Sequence, residues 1–182
     1  MRTSQCICCY ISNTVTTSVV IKDGNNDKIL EEYELDTATT KKSVDENGNI
    51  VYTTTTTASD ASNLNNNSRA TQNNSKTFYG WKGKVSINYY DNGSKAKLNS
   101  ASASWTHVSG STAISKSKSF IYGQDMMVNS RNGSKTFTGT SVSASPNWPK
   151  GKYAYNVGNK VGANVSAKIK GKYVYVFCDV KF

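Results

Sequence analysis

The sequence predicts an all-β protein: an antiparallel β-sandwich, with a small β-barrel as the alternative fold, preceded by an N-terminal β-rich extension. β-Branched and aromatic residues are common, whereas strong helix formers are scarce. Segments in which apolar and polar residues alternate recur along the second half of the chain, as expected of strands with one buried face. Turns that contain Asn-Gly separate several of these segments, which favours hairpins.

The first 57 residues are predicted to form an acidic, β-rich extension. Residues 14–22 are rich in Thr and Val and predict a strand, and residues 28–35 predict either a second strand or a helical turn. Residues 45–49 predict a hairpin turn, because Asn-Gly readily takes the positive φ angles of a tight turn. The strand expected at residues 50–57 ends in five consecutive threonines.

A linker is predicted at residues 58–75, which are rich in Asn and Ser and carry a single large apolar residue, Leu64. The charge changes sign here. Residues 1–75 hold six basic and nine acidic residues, whereas residues 76–182 hold sixteen basic and three acidic residues. The sequence therefore predicts a basic β-sandwich domain at 76–182. The acidic extension is either a module of its own or a pro-region that masks the basic domain.

Alternation is clearest in the basic domain, above all at residues 161–170. Residues 173–178 are apolar on both faces, which predicts a central strand of a sheet. The expected core is thin, because apolar residues make up 36% of the chain. Alternation places five aromatic residues in the core: Tyr89, Trp105, Tyr155, Tyr173 and Phe177.

Catalysis is not predicted. The one histidine, His107, follows a predicted strand, and the basic domain offers three carboxylates as partners. Cys178 and Asp179 are neighbours on a strand, so their side chains are expected on opposite faces. No phosphate-binding loop, zinc signature or calcium loop is present in the sequence. We therefore expect a protein that is not an enzyme and uses no cofactor.

The cysteines do not predict a metal site either. Cys6, Cys8 and Cys9 lack a second pair of ligands at zinc spacing. Cys178 is expected to pack as a small apolar residue, with a disulfide to the N-terminal cluster as the alternative. No apolar stretch is long enough for a membrane-spanning helix. Residues 1–11 resemble the stub of a truncated export signal, and the Thr/Ser/Asn-rich composition is typical of extracellular or cell-surface bacterial proteins.

Lysines beside aromatic residues give the strongest functional signal. The basic domain has sixteen aromatic residues, and fifteen of its sixteen basic residues are lysine. Lysine acts as a point charge and suits a diffuse polyanion better than a nucleic-acid sequence, which arginine reads more effectively. Two tryptophans beside Gly or Pro are predicted to expose their rings. The predicted polyanion-binding residues are Trp81, Lys82, Lys84, Trp148, Lys150, Lys152, Lys170 and Lys172.

These observations predict an exported cationic domain that recognises an anionic component of the cell envelope: a wall polymer, a polysaccharide or a lipid headgroup. Two alternatives come from other classes. In the first alternative, the chain is a bacteriocin or pore-forming toxin. In the second, it is a structural adhesion domain without a ligand, and its positive charge serves solubility alone. Nucleic-acid binding is the least favoured hypothesis.

Several local features also resemble a known family. These are Gly80-Trp81 at the start of the basic domain, its Tyr-rich hairpins, and the Asn-Gly-Ser-Lys turns at 92–95 and 132–135. They resemble the small cationic β-sandwich bacteriocins of the lactococcin type and, more generally, exported β-sandwich proteins of Gram-positive bacteria. The resemblance covers residues 78–182. It implies an exported protein that acts at the envelope of another cell, and no site residue is carried over from it.

Overall fold

Alternating apolar residues fold this chain into two antiparallel sheets packed face to face, so the predicted sandwich is confirmed. The computed structural model describes residues 14–34, 39–58, 79–153 and 158–182. Every strand pair in these segments is antiparallel. Their strands belong to two separate sheets, not to one closed sheet. None of these segments contains a helix long and apolar enough to cross a lipid bilayer.

The first sheet, sheet A, has six strands in the spatial order β2-β1-β12-β11-β7-β8. Both chain ends contribute to it, since β1 and β12 lie side by side. Its strands are β1 (Thr14–Asp23), β2 (Ile29–Glu34), β7 (Lys118–Asp125), β8 (Arg131–Phe137), β11 (Lys160–Ile169) and β12 (Lys172–Lys181). The strand predicted to be central, β12, is the third of the six.

The second sheet, sheet B, has the order β10-β6-β5-β4-β3, and a further short strand, β9, also pairs with β6. Its central strands are the longest of the sheet. The strands are β3 (Thr39–Val44), β4 (Ile50–Ala58), β5 (Trp81–Asp91), β6 (Lys95–His107), β9 (Ser141–Ala144) and β10 (Gly151–Lys152).

Strands of the acidic extension are integral to both sheets. The extension is β-rich, as predicted, and residues 29–34 form a strand and not a helical turn. β1 pairs with β12 over ten residues, and β4 pairs with β5 over eight. Acidic and basic parts of the chain therefore share one sandwich. The predicted linker begins at Ala58, the last residue of β4, and its remainder lies outside the described residues.

The core between the sheets confirms two of the predicted core aromatics and corrects two others. Trp105 and Tyr89 are 0% and 1% exposed. Tyr173 and Phe177 were predicted in the core, but they lie on the outer face of sheet A, because the valines between them are the residues that face sheet B. Both faces of β12 are apolar, so alternation alone could not decide which one points inward. Tyr155 lies outside the described residues.

Gly83 on β5 makes room for the largest core side chain. It pairs with Trp105 on β6. A β-carbon placed at Gly83 would lie 3.1 Å from the Trp105 ring and 2.8 Å from Cγ2 of Val176 on the opposite sheet. The ring therefore fills the space above a residue without a side chain, and this contact sets how closely the two sheets approach here.

We expect Gly83→Ala to lower the free energy of unfolding by about 1–3 kcal/mol, because the added methyl group overpacks the core. Gly158→Ala is the matched control, since a β-carbon at Gly158 meets no atom within 4 Å. That control should change stability by less than about 0.5 kcal/mol. Chemical denaturation followed by tryptophan fluorescence measures the stability of both variants. Equal stabilities of Gly83→Ala and Gly158→Ala would contradict this account of the core.

A chain that starts at Lys76 should not unfold cooperatively. It lacks β1 and β4, so it leaves unpaired backbone along β12 and β5 and exposes the core residues that Val19 and Ile21 cover. Circular dichroism during urea denaturation would test this. A cooperative transition at the midpoint of the full chain would instead favour the hypothesis that the extension is a removable pro-region.

Candidate functional site

The predicted binding residues lie at two opposite ends of the sandwich. Trp81 begins β5 and pairs with His107, the last residue of β6. Lys152 pairs with Lys95, the first residue of β6. The 13 residues of β6 separate these ends, which corresponds to about 40 Å of extended chain. The structure therefore does not bring the Trp81 and Trp148 clusters into one patch.

The Trp81 end is held together by its aromatic ring. The indole Nε1 of Trp81 donates a hydrogen bond to the carbonyl of Thr112 at 2.8 Å, and the ring lies 4.9 Å from that of His107. Trp81 is half-buried against the core, so the prediction of an exposed ring is wrong. The hydrogen bond from this indole instead holds the segment between β6 and β7 against the start of β5.

Four of the predicted lysines lie at or near this end. Lys82 and Lys84 follow Trp81 on β5, and both are exposed. Lys170, in the turn between β11 and β12, has its Nζ 5.3 Å from the centroid of Tyr79. Lys172, the first residue of β12, is half-buried and pairs with Asp23 of β1. Lys170 and Lys172, which were predicted as binding residues, therefore lie with the Trp81 cluster.

Trp148 at the other end is also half-buried. Its ring stacks on that of Tyr122, with the centroids 5.7 Å apart, so the predicted exposed ring is again wrong. Lys150 is exposed, and its Nζ lies 3.8 Å from the centroid of Tyr90. Hydrogen bonds from Asn49 lower the pKa of Asp45 most, and the charge of Lys150 adds to this effect. An acidic residue of the extension thus partly balances a predicted binding lysine.

The outer face of sheet A carries an aromatic row that the sequence did not predict. Tyr173, Tyr175 and Phe177 alternate along β12 on the side away from sheet B. Successive ring centroids are 6.4 and 6.1 Å apart. We call these three residues the aromatic ridge. The sequence signal was the apolar character of both faces of β12, which indicated a central strand but not a row of half-buried rings on the outer face.

Two lysines flank the aromatic ridge from the neighbouring strands. The Nζ of Lys22 on β1 is 5.3 Å from the Tyr175 centroid, and that of Lys168 on β11 is 5.4 Å from the Tyr173 centroid. Both lysines are opposite Tyr173 in the strand register. Cations therefore border the rings on both sides, in an arrangement that cation–π attraction stabilises.

A depression beside Phe177, the glycine trough, has a volume of about 370 Å³. Gly162 on β11 and Gly123 on β7 are paired and form its floor. Without a side chain, Gly123 leaves its half-buried part of the sheet backbone accessible to a ligand, whereas Gly162 is buried. Polar and charged side chains surround the floor: Asp125, Ser130, Arg131, Asn132, Lys160, Asn164 and Asp179.

The Asp179 carboxyl group lies over Gly162, in the space that a side chain there would occupy. It is 3.6 Å from Nζ of Lys160. Burial raises the pKa of Asp179, while the charge of Lys160 and its hydrogen bond act in the opposite direction. The trough thus combines a half-buried carboxyl group with a neighbouring ammonium group.

A second depression, the tyrosine trough, lies on the same face and measures about 500 Å³. Tyr173 and Tyr175 form one side, and Ser119, Ser166 and residues of the β1–β2 turn form the rest. Ile121, which is 43% exposed, borders both troughs. Burial, followed by the charge of Asp27, raises the pKa of Tyr175. Its phenol group is therefore uncharged at neutral pH and can both donate and accept hydrogen bonds.

The outer face of sheet B differs, because its polar side chains bond to one another. Thr55 and Ser86 are hydrogen-bonded at 2.8 Å, and Asn88 donates to Thr53 at 2.9 Å. A depression on this face is lined by Lys84 and small residues. The outer face of sheet A, with the aromatic ridge, two troughs and flanking lysines, is therefore the better candidate site. The described residues contain no group of three or more His, Cys, Asp or Glu placed to hold a metal ion.

Cys178 lies on β12 between Phe177 of the ridge and Asp179 of the trough, but it points into the core. It is 0% exposed and has a free thiol, as expected of a small apolar residue. Burial, together with the nearby Asp179 charge, raises the pKa of Cys178 to about 12. The thiol and the Asp179 carboxyl group lie on opposite faces of the strand, as the sequence predicts.

The raised pKa of Asp179 makes stability depend on pH. The native state holds this proton more tightly than the unfolded chain, in which the pKa returns to near 3.8. We expect the chain to gain stability relative to Asp179→Asn as the pH falls from neutral to below 4, because the native carboxyl group is protonated in that window. Urea denaturation across this range measures the stability difference between the unaltered chain and Asp179→Asn. In a Lys160→Met background this difference should be larger, because Lys160 lowers the pKa of Asp179. A stability difference that does not change with pH would contradict the raised pKa of Asp179.

No protein-family model, curated protein or solved structure matches this chain. The geometry of the described residues is therefore the basis for assigning a function.

Proposed function

We propose that this chain is an exported, cationic binding protein that recognises an anionic wall polymer or polysaccharide of the cell envelope through the outer face of sheet A. The observation that supports this most is the aromatic ridge, three rings in a row on an open sheet face between two polar troughs. Binding of this kind needs no reactive group, so the proposed function is not catalytic.

The ridge suits a polymer because its rings repeat along a line. Ring centroids about 6 Å apart offer successive apolar surfaces on which the flat faces of sugar units can stack. The troughs on the same face supply hydrogen-bonding groups, such as the side-chain amides of Asn132 and Asn164. A few polar groups around an apolar platform are what fix the orientation of a bound ligand.

The flanking cations favour a polymer that carries negative charge. Lys22 and Lys168 border the ridge, and Lys160 borders the glycine trough. The whole chain has a formal net charge of +10, which raises the local concentration of anionic polymers around it. Because lysine is a compact cation on a flexible stem, it suits phosphate or carboxylate groups whose spacing varies.

We expect Tyr175→Ala to weaken binding to isolated Gram-positive cell walls by about tenfold, since stacking of a flat ring on an aromatic residue adds about 1–3 kcal/mol in nucleic-acid complexes. Tyr90→Ala is the matched control: it removes a tyrosine that also contacts a lysine but lies on sheet B. Co-sedimentation at increasing salt measures both variants, and binding by the unaltered chain should weaken as salt rises.

Three outcomes would contradict the proposal. If Tyr175→Ala and Tyr90→Ala weakened binding equally, the ridge would not be the binding surface. If binding were unchanged on walls stripped of their anionic polymers, or insensitive to salt, charge would not contribute to recognition. No binding to walls, combined with dye release from anionic vesicles, would favour the toxin hypothesis instead.

A further inference from the structure

A carboxylate of the protein lies in the glycine trough, on the face proposed to bind polymer. Asp179 is opposite Gly162 in the strand register, and Gly162 is opposite Gly123. Because Gly162 has no side chain, the Asp179 carboxyl group lies over its backbone. Any larger residue at this position would exclude the carboxyl group, since its β-carbon would overlap Oδ1 of Asp179. An anionic group of the chain itself therefore already occupies part of the trough.

Lys160 is the cation that this carboxylate contacts. Nζ of Lys160 lies 3.6 Å from Oδ2 of Asp179, and the side chains of the two residues are 45% and 25% exposed. Lys160 also borders the glycine trough and is one of the lysines assigned above to polymer binding. A polymer phosphate that approaches Lys160 from solvent thus meets the Asp179 carboxylate beside the same ammonium group. Because two neighbouring anions repel each other, the carboxylate and the phosphate compete for Lys160.

Lys160 is also the charged group that acts most strongly on Asp179. Burial raises the pKa of Asp179, and Lys160 opposes this effect more than Lys181 on the same strand does. On β1, the residue opposite Asp179 is Thr16, which is uncharged. Charged residues farther away on the other strands of sheet A include Glu34 on β2, Asp125 on β7 and Arg131 on β8.

From this geometry we propose that Asp179 is a built-in competitor for Lys160, which weakens polymer binding at neutral pH and releases the site when it takes up a proton in acid. This inference rests on the proposed polymer binding and adds its regulation. Protonation removes the negative charge that repels a polymer phosphate. It also turns the carboxyl group from an acceptor into a hydrogen-bond donor. Lys160 then no longer pairs with the Asp179 carboxylate and can pair with the polymer.

The pH range of this release follows from the surroundings of Asp179. Its pKa lies above the ordinary 3.8, because burial penalises the charged form more than Lys160 and Lys181 stabilise it. The native carboxyl group therefore takes up its proton at a pH at which an ordinary aspartate is still ionised. Binding of an anionic polymer should strengthen as the pH falls from neutral to about 4, the ordinary pKa of aspartate.

The test measures binding of soluble poly(glycerol phosphate) by titration calorimetry, because the phosphodiesters of this polymer stay charged across the whole pH range. The unaltered chain should bind about threefold more tightly in acid than at neutral pH, which is the size of one exposed ion pair. Asp179→Asn should bind at neutral pH as tightly as the unaltered chain does in acid, since the amide is uncharged and donates hydrogen bonds. Its affinity should no longer rise on acidification. Lys160→Gln should lose the same rise, because the competition is for its ammonium group.

Asp125→Asn is the matched control, since it removes another carboxylate of the trough, one that accepts a hydrogen bond from Ser130. It should keep the rise in affinity on acidification. NMR titration of the Asp179 carboxyl carbon adds a second measurement: polymer should raise the pKa of Asp179 further, because linkage is reciprocal. An equal rise in the unaltered chain and in Asp179→Asn, or polymer binding that does not change with pH, would overturn this inference and leave the proposed function standing. No binding to the polymer or to cell walls at any pH would contradict the proposed function as well.

Discussion

β12 pairs over ten residues with β1 on one side and over ten residues with β11 on the other. Its two faces are both apolar, and the sandwich uses them differently. The inner face closes the core with residues such as Val174 and Val176, while the outer face carries the aromatic ridge. Because β1 completes the pairing of β12, the first and last described strands of the chain depend on each other, and the candidate site depends on both.

Glycines decide where the large side chains and the open surfaces lie. Gly83 leaves the space that the Trp105 ring fills, which brings the two sheets into contact. Gly123 and Gly162 carry no side chains beside the ridge, and the Asp179 carboxyl group occupies the space above Gly162. The same residue type thus contributes tight packing on the inner face and a binding trough on the outer one.

Charge is organised locally, not as one basic face. Lys22 and Lys168 border the ridge, Lys150 lies near Asp45 of the acidic extension, and Lys172 is opposite Asp23 in the strand register. Strands of the acidic extension thus lie next to strands of the basic part of the chain.

The sequence by itself determined the all-β class, the sandwich, the central place of β12 and the burial of Trp105 and Tyr89, because alternation and turn chemistry are local properties of the chain. Only the tertiary structure decided that β1 lies beside β12 and that Trp81 and Trp148 pack at opposite ends. It also decided that Tyr173 and Phe177 point outward. These depend on strand order, register and the choice of inner face, which follow from contacts between distant residues. A strand that is apolar on both faces carries no local signal for that choice.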